Sequence, residues 1–137
     1  MKITPYLNFQ GRCAEAFAFY AETLGGEVTY LQTFGDSPMK DQVPADWHGA
    51  ILHATLAIGG GEVIAGSDAP GEMYRTPQGF SVTLGVTGQD EARRVYAALA
   101  QGGTVTMELQ STFWTPLFGM VTDRFGIPWM INCEDQA

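Results

Sequence analysis

Residues 7–29 read LNFQGRCAEAFAFYAETLGGEVT, and residues 84–106 read LGVTGQDEARRVYAALAQGGTVT. Set 77 positions apart, they place Leu7 on Leu84, Gly11 on Gly88, Ala21 on Ala98, Gly25-Gly26 on Gly102-Gly103 and Val28-Thr29 on Val105-Thr106. Each stretch spells a strand, a helix, a Gly-Gly stop and a second strand. A repeat of this length is a module and not a solenoid unit. Within the helices the match improves at 79 positions, where Cys13, Ala16, Phe17 and Tyr20 meet Ala92, Val95, Tyr96 and Leu99. One copy has therefore slipped around the start of its helix.

Working outward, Ile3 to Phe9 alternates with Ile3, Leu7 and Phe9 on one side and Thr4, Tyr6 and Asn8 on the other, the period of a half-buried strand. The spacing of Cys13, Ala16, Phe17, Tyr20 and Leu24 predicts a helix over 12–24 that ends at Gly25-Gly26. A strand over 27–34 follows, then an irregular loop over 35–49 containing Pro38, Pro44, Trp47 and His48, long enough to be functional or mobile. Residues 50–58 alternate as a strand, Gly59-Gly60-Gly61 turns, and 62–66 completes a hairpin. Asp68 to Gly79 reads as a linker, with Asp68 itself a turn residue.

The second copy predicts a strand over 80–86, a helix over 89–101 with Asp90 and Glu91 at its positive end, and a strand over 104–110 with Val105, Met107 and Leu109 on one side. A last hairpin joins 118–122 to 128–132 around Asp123-Arg124-Phe125-Gly126. The order is β-α-β-β-β, twice. The expected organisation is one domain over 1–137, with module one over about 1–68, a linker over about 69–79 and module two over about 80–137.

The chain has 137 residues, 45% of them apolar, enough for a real core. Seven basic against 15 acidic residues give a formal charge of −8, which repels polyphosphate and offers no basic stripe to a nucleic acid. No run has signal-peptide or membrane-span character, which points to the cytoplasm and to no membrane partner. Cys13 reads as a buried small hydrophobe and Cys133 as a free near-terminal thiol. Neither has the electropositive surroundings of a catalytic thiolate.

Two βαβββ modules, each with a helix ending in Gly-Gly, resemble the vicinal oxygen chelate superfamily of glyoxalases, extradiol dioxygenases and bleomycin-resistance proteins. Pro5-Tyr6-Leu7, Ala18-Phe19-Tyr20 with Leu24-Gly25-Gly26, Thr112-Phe113-Trp114, and Val121-Thr122-Asp123 leading to Phe125-Gly126-Ile127-Pro128-Trp129-Met130-Ile131-Asn132 resemble its PhnB-like branch. The resemblance implies an α+β fold whose mixed sheet curls around a U-shaped cleft, and a homodimer. It also implies a divalent metal held by His, Gln or Glu at positions that fall on Thr4, Ala65, Ser81 and Met130. None of the four is such a residue, so the customary metal centre is expected to be absent and no cofactor is assigned. PhnB-like proteins are often described as ubiquinone methyltransferases. A Gly-rich turn after the first strand of a doubly wound sheet is not found here, because Gly59-Gly60-Gly61 joins two strands.

If the apolar sides of the strands face the helices, the other sides line the cleft. Tyr6, Asn8, Ser81, Gln110, Trp114 and Asn132 are then candidates for contacting a small molecule. His53 is the candidate acid/base, since imidazole exchanges a proton near neutral pH, unless it is a structural histidine. Glu108 is either its carboxylate partner, an independent base, or a solvated edge residue. His48, five positions from His53, does not form a helical metal pair with it. Trp129 alternates towards the core, and Met39, Met73, Met107 and Met120 form no cofactor pattern. Three functions remain open: a protein that binds a small molecule without a metal, a metal-independent enzyme working through His53, and a metal enzyme with ligands displaced to His53, Glu108 and Asp68.

Overall fold

The computed structural model describes residues 1–135. The chain divides into two compact units, Met1–Arg75 and the remainder from Thr76. Among the described residues the first unit holds β1 (Tyr6–Phe9), α1 (Cys13–Leu24), β2 (Glu27–Thr33), β3 (Ile51–Gly59) and β4 (Glu62–Asp68). The second holds β5 (Val82–Val86), α2 (Gln89–Ala100), β6 (Thr104–Gln110), β7 (Phe118–Thr122) and β8 (Pro128–Cys133). The α+β architecture and the β-α-β-β-β order are as the sequence implies. Each unit forms a mixed four-stranded sheet, ordered β1-β4-β3-β2 in the first and β5-β8-β7-β6 in the second. β1 runs parallel to β4, and β5 parallel to β8.

In the first unit Cys13, Ala16, Phe17 and Tyr20 of α1 are fully buried with Leu7, Phe9, Ala54 and Leu56. Phe9 meets Phe17 edge-on, 6.1 Å between ring centres. Gly66 lets the helix sit close, since a Cβ there would stand 3.0 Å from the Phe17 ring and 2.6 Å from the Leu7 carbonyl. In the second unit Ala92, Leu99, Val121, Trp129 and Ile131 make the corresponding core. Burying each large apolar side chain contributes roughly 1.5–3 kcal/mol.

The repeated Gly-Gly has a different reason at each position. Gly25 caps α1 in the left-handed region at φ 71°, and Gly102, one residue beyond the extended Gln101 cap of α2, takes a left-handed φ of 74°. Gly26 instead lies where a Cβ would stand 2.6 Å from the Ala57 carbonyl, and a Cβ on Gly103 would collide with the Thr122 carbonyl. The first glycine turns the chain; the second lets it enter the sheet.

Several local expectations change. β1 starts at Tyr6, because Pro5 has no N–H and contributes only its carbonyl, to Ala65 N–H at 3.0 Å, while Ile3 is exposed. Asp68 is no linker residue. It is buried at the end of β4, and its carboxylate accepts the N–H groups of Gly11 (2.8 Å), Cys13 (3.0 Å) and Ile51 (2.9 Å). Asp135 receives Gly88 N–H at 2.9 Å in the second unit, the same tie between the start of the helix and the end of the module. Cys133 is the free thiol expected, and it is buried as part of β8. The loop over 35–49 folds into short 3-10 turns at Lys40–Gln42 and Ala45–Trp47, with His48 Nε2 2.8 Å from the Lys40 carbonyl and Trp47 against Phe34.

The largest departure is in the edge strands. β2 is bulged between Val28 and Tyr30, and β6 between Val105 and Met107. These are matching positions of the repeat, so Thr29 and Thr106 are the extra residues in both copies. The bulge turns Tyr30 and Met107 onto the face away from the helix, opposite Thr55 and Met120. Strict alternation had put Met107 with Val105.

Candidate functional site

The face of the first sheet away from α1 is organised around His53 on β3. Tyr6 of β1 brings its hydroxyl to 3.1 Å from His53 Nδ1, and Thr55 Oγ1 lies 3.3 Å from Nε2. Each hydroxyl can donate or accept, so the contacts accommodate either neutral tautomer of the ring. Two tyrosines flank the imidazole, Tyr6 at 5.7 Å and Tyr30 at 5.8 Å between ring centres. Tyr30 is fixed in turn by donating its hydroxyl to Gln32 Oε1 at 3.0 Å, and Gln32 pairs with His53 across the β2–β3 ladder. Asn8 follows two residues after Tyr6 on the same exposed face. The result is a shelf of three rings, each with a polar edge, Tyr6 and Tyr30 both 48% exposed.

The sequence reading anticipated Tyr6, Asn8 and His53 here. It did not consider Tyr30 and Gln32: the strand over 27–34 was given no sides, and the bulge at Thr29 puts them opposite the side that alternation from Val28 would give. A doubled Val-Thr at the same place in both repeats was the available signal.

In the second unit, Trp114 donates its indole N–H to Asn132 Oδ1 at 3.0 Å and stands edge-on to Phe118 at 5.4 Å. Gln110 pairs with Phe118 on the same face, and Thr83 Oγ1 lies 3.5 Å from Met130 Sδ. Ser81, half-buried, precedes β5. Trp114, Asn132 and Gln110 are thus gathered around Phe118. Glu108 has a different neighbour from the one considered for it. Burial first, and then the Glu108 carboxylate, push the Tyr96 hydroxyl above its ordinary value, which places that carboxylate beside a helix side chain. Both nitrogens of His53 are already engaged by Tyr6 and Thr55. Asp68 serves three backbone N–H groups, and the Cys13 thiol is pushed up to about 12 by burial and then by Asp68. Neither is poised for chemistry.

The positions to which the resemblance carries the superfamily's divalent-ion ligands, Thr4, Ser81, Ala65 and Met130, hold two hydroxyls, a methyl group and a thioether. Such a donor set does not fit zinc or a hard divalent cation, which take imidazole, thiolate or carboxylate. Among the described residues no three His, Cys, Asp or Glu side chains group so as to hold a metal, and no helix is long and apolar enough to cross a membrane. Nor does any strand carry a Lys or Arg; all seven basic residues lie in helices, turns or flanking segments.

The crystal structure of protein PA1353 from Pseudomonas aeruginosa is 47% identical to this chain, covers 98% of both chains and superposes with a TM-score of 0.88. Protein YjdN of Escherichia coli K12 is 38% identical over 99% of this chain and 97% of its own. A structure from Bacillus cereus described as a putative 3-demethylubiquinone-9 3-methyltransferase, PhnB protein, is 26% identical, covers 97% of this chain and 99% of its own, and has a TM-score of 0.79. At 13% identity and a TM-score of 0.62, covering 96% of this chain and 93% of its own, a glyoxylase/bleomycin resistance protein/dioxygenase domain from Frankia sp. EAN1pec shares the fold alone. The family model for 3-demethylubiquinone-9 3-methyltransferase matches residues 1–132, and the chain, which has the glyoxalase/bleomycin resistance fold, belongs to that PhnB-like family.

Proposed function

We propose that this protein binds a small uncharged molecule on the exposed face of its first sheet, without the divalent metal customary for the fold. The observation that carries the reading is the shelf of Tyr6, His53 and Tyr30, whose rings offer stacking surface while Asn8, Gln32 and Thr55 offer neutral donors and acceptors. Rigid rings held by hydrogen bonds lose little freedom on binding, which favours affinity. The lack of basic side chains on the strands argues against an anionic ligand, which would arrive without a counter-charge. The methyl transfer named in the family's description has no support from the glycines, since Gly59-Gly60-Gly61 closes the β3–β4 hairpin. The resemblance also carries a homodimer and a cytoplasmic location into this reading; light scattering on the purified protein tests the first.

A fragment screen with neutral aromatic compounds, read by amide chemical shifts, tests the site. Binders are expected to move Tyr6, His53, Tyr30 and Gln32 signals. His53→Ala is expected to weaken them by about tenfold, roughly 1.4 kcal/mol, with the melting temperature within a few degrees. Binders that leave these signals unmoved would refute the assignment.

One contact favours a second reading as an enzyme. The 3.1 Å approach of the Tyr6 hydroxyl to His53 Nδ1 gives the imidazole a partner through which a proton can pass, while Gln32 and Asn8 can polarise a substrate oxygen. If a turnover is found, His53→Ala is expected to abolish it. Unchanged turnover in that variant rules this reading out.

A further inference from the structure

The second sheet carries a row of thioethers that neither the fold nor the shelf on the first sheet accounts for. Met107 pairs with Met120, Met120 pairs with Met130, and Met130 pairs with Thr83, so three methionines occupy adjacent rungs of β6, β7 and β8. They lie on the face away from α2. Val121 and Trp129, the next residues of β7 and β8, are buried beneath the helix, and a Cβ on Gly119 would press into the Tyr96 ring. Met107 reaches the row only because of the β6 bulge and is 37% exposed; Met120 and Met130 are half-buried.

Side chains on adjacent rungs have Cβ atoms about 4.5–5.5 Å apart, and methionine has three rotatable bonds with which to close that gap. The sulfurs of Met107 and Met130 can therefore lean in over that of Met120. Methionine is not a residue that strands favour for its shape, unlike valine, isoleucine or the aromatics. Three in one row, with no imidazole, thiolate or carboxylate among them, make a donor set of one chemical kind. Thioether sulfur is soft and uncharged. It suits a soft monovalent ion and discriminates against zinc, magnesium or calcium.

We propose that Met107, Met120 and Met130 form a three-thioether site for a soft monovalent cation of the copper(I) type. Met130 Sδ rests 3.5 Å from the Thr83 hydroxyl on the β5 side of β8, and binding turns it from that contact towards Met120 on the β7 side. The formal charge of −8 favours the approach of a cation. Binding here is coordination only, with no change of oxidation state, and it stands apart from the reading of the first sheet.

Silver(I), a redox-inert ion of the same softness, is the probe. Protein labelled with 13C at the methionine methyl groups is titrated with silver nitrate in chloride-free buffer, the six signals being assigned by single Met→Leu changes. The methyl signals of Met107, Met120 and Met130 are expected to shift together and saturate at one equivalent. Met39 and Met73, 38% and 75% exposed but without a thioether neighbour on a shared rung, are expected to stay in place. Zinc at the same concentration is expected to move none. Met120→Leu, which keeps the volume, is expected to weaken silver binding at least tenfold; if it perturbs the circular dichroism, Met107→Leu at the exposed edge replaces it. The proposal is overturned if silver leaves the three signals unmoved, if it is captured by Cys13 and Cys133 instead, or if all methionines shift alike.

Discussion

Asp68 ties two distant parts of the first unit together, because one buried carboxylate answers three backbone donors. Gly11 and Cys13 belong to the start of α1, and Ile51 opens β3. Removing the carboxylate leaves those N–H groups buried without acceptors. Asp68→Ala is expected to lose about 3 kcal/mol or more in urea unfolding. In the sequence Asp68 stands before Ala-Pro-Gly and reads as a turn residue, since nothing local tells that its partners lie 57, 55 and 17 positions away. Next to it, the Cys13 thiol is pushed from its ordinary 9.0 to about 12. The folded state thus holds this proton while the unfolded chain releases it. Stability is expected to be intact below pH 9 and to fall as pH rises towards 12, with a shallower decline in Cys13→Ala. Urea midpoints measured across that window for both proteins check the sign.

The helix stops and the bulged edge strands show how much of an element its own letters reveal. The Gly-Gly pairs, the two helices and the alternation of β1, β3, β5 and β8 were legible, because a single face decides each of them. β2 and β6 were not. Each carries an extra threonine, and a bulge exists only relative to a partner strand, so parity within the strand points to the wrong side. The inserted Thr106 is why Met107 was placed on the wrong side, while the strand over 27–34 was given no sides and so Tyr30 and Gln32 were not considered. The Gly-Gly pairs lead to a testable asymmetry. Gly25→Ala pays only the left-handed penalty, about 1 kcal/mol. Gly26→Ala must push β2 from the Ala57 carbonyl and is expected to cost about 2–3 kcal/mol, more than its neighbour despite the ordinary backbone. Equal losses in thermal unfolding would remove this account of the second glycine.

The duplication itself was readable, because two copies of one plan repeat the same constraints: a glycine before the helix, a tie from an acid to that glycine, a bulge within the second strand. What differs between the copies is the face each sheet leaves open. The first presents tyrosines, an imidazole and amides; the second presents a row of sulfur beside Trp114, Gln110 and Asn132. The tie of Asp68 to Gly11 has its counterpart in Asp135 to Gly88, whereas the same bulge delivers Tyr30 in one copy and Met107 in the other.

The sulfur row also has a consequence for how this protein ages. Each thioether accepts one oxygen atom from a peroxide to become a sulfoxide, releasing water, and the product is polar and no longer a soft donor. Because Met107, Met120 and Met130 stand on the side of the sheet away from Trp129 and Ile131, their oxidation leaves the core untouched. Mild peroxide is expected to add up to three oxygens to residues 107, 120 and 130 by peptide mass, with little change in melting temperature. A stored sample would then look sound by every test of folding while one of its faces had changed from oily to wet.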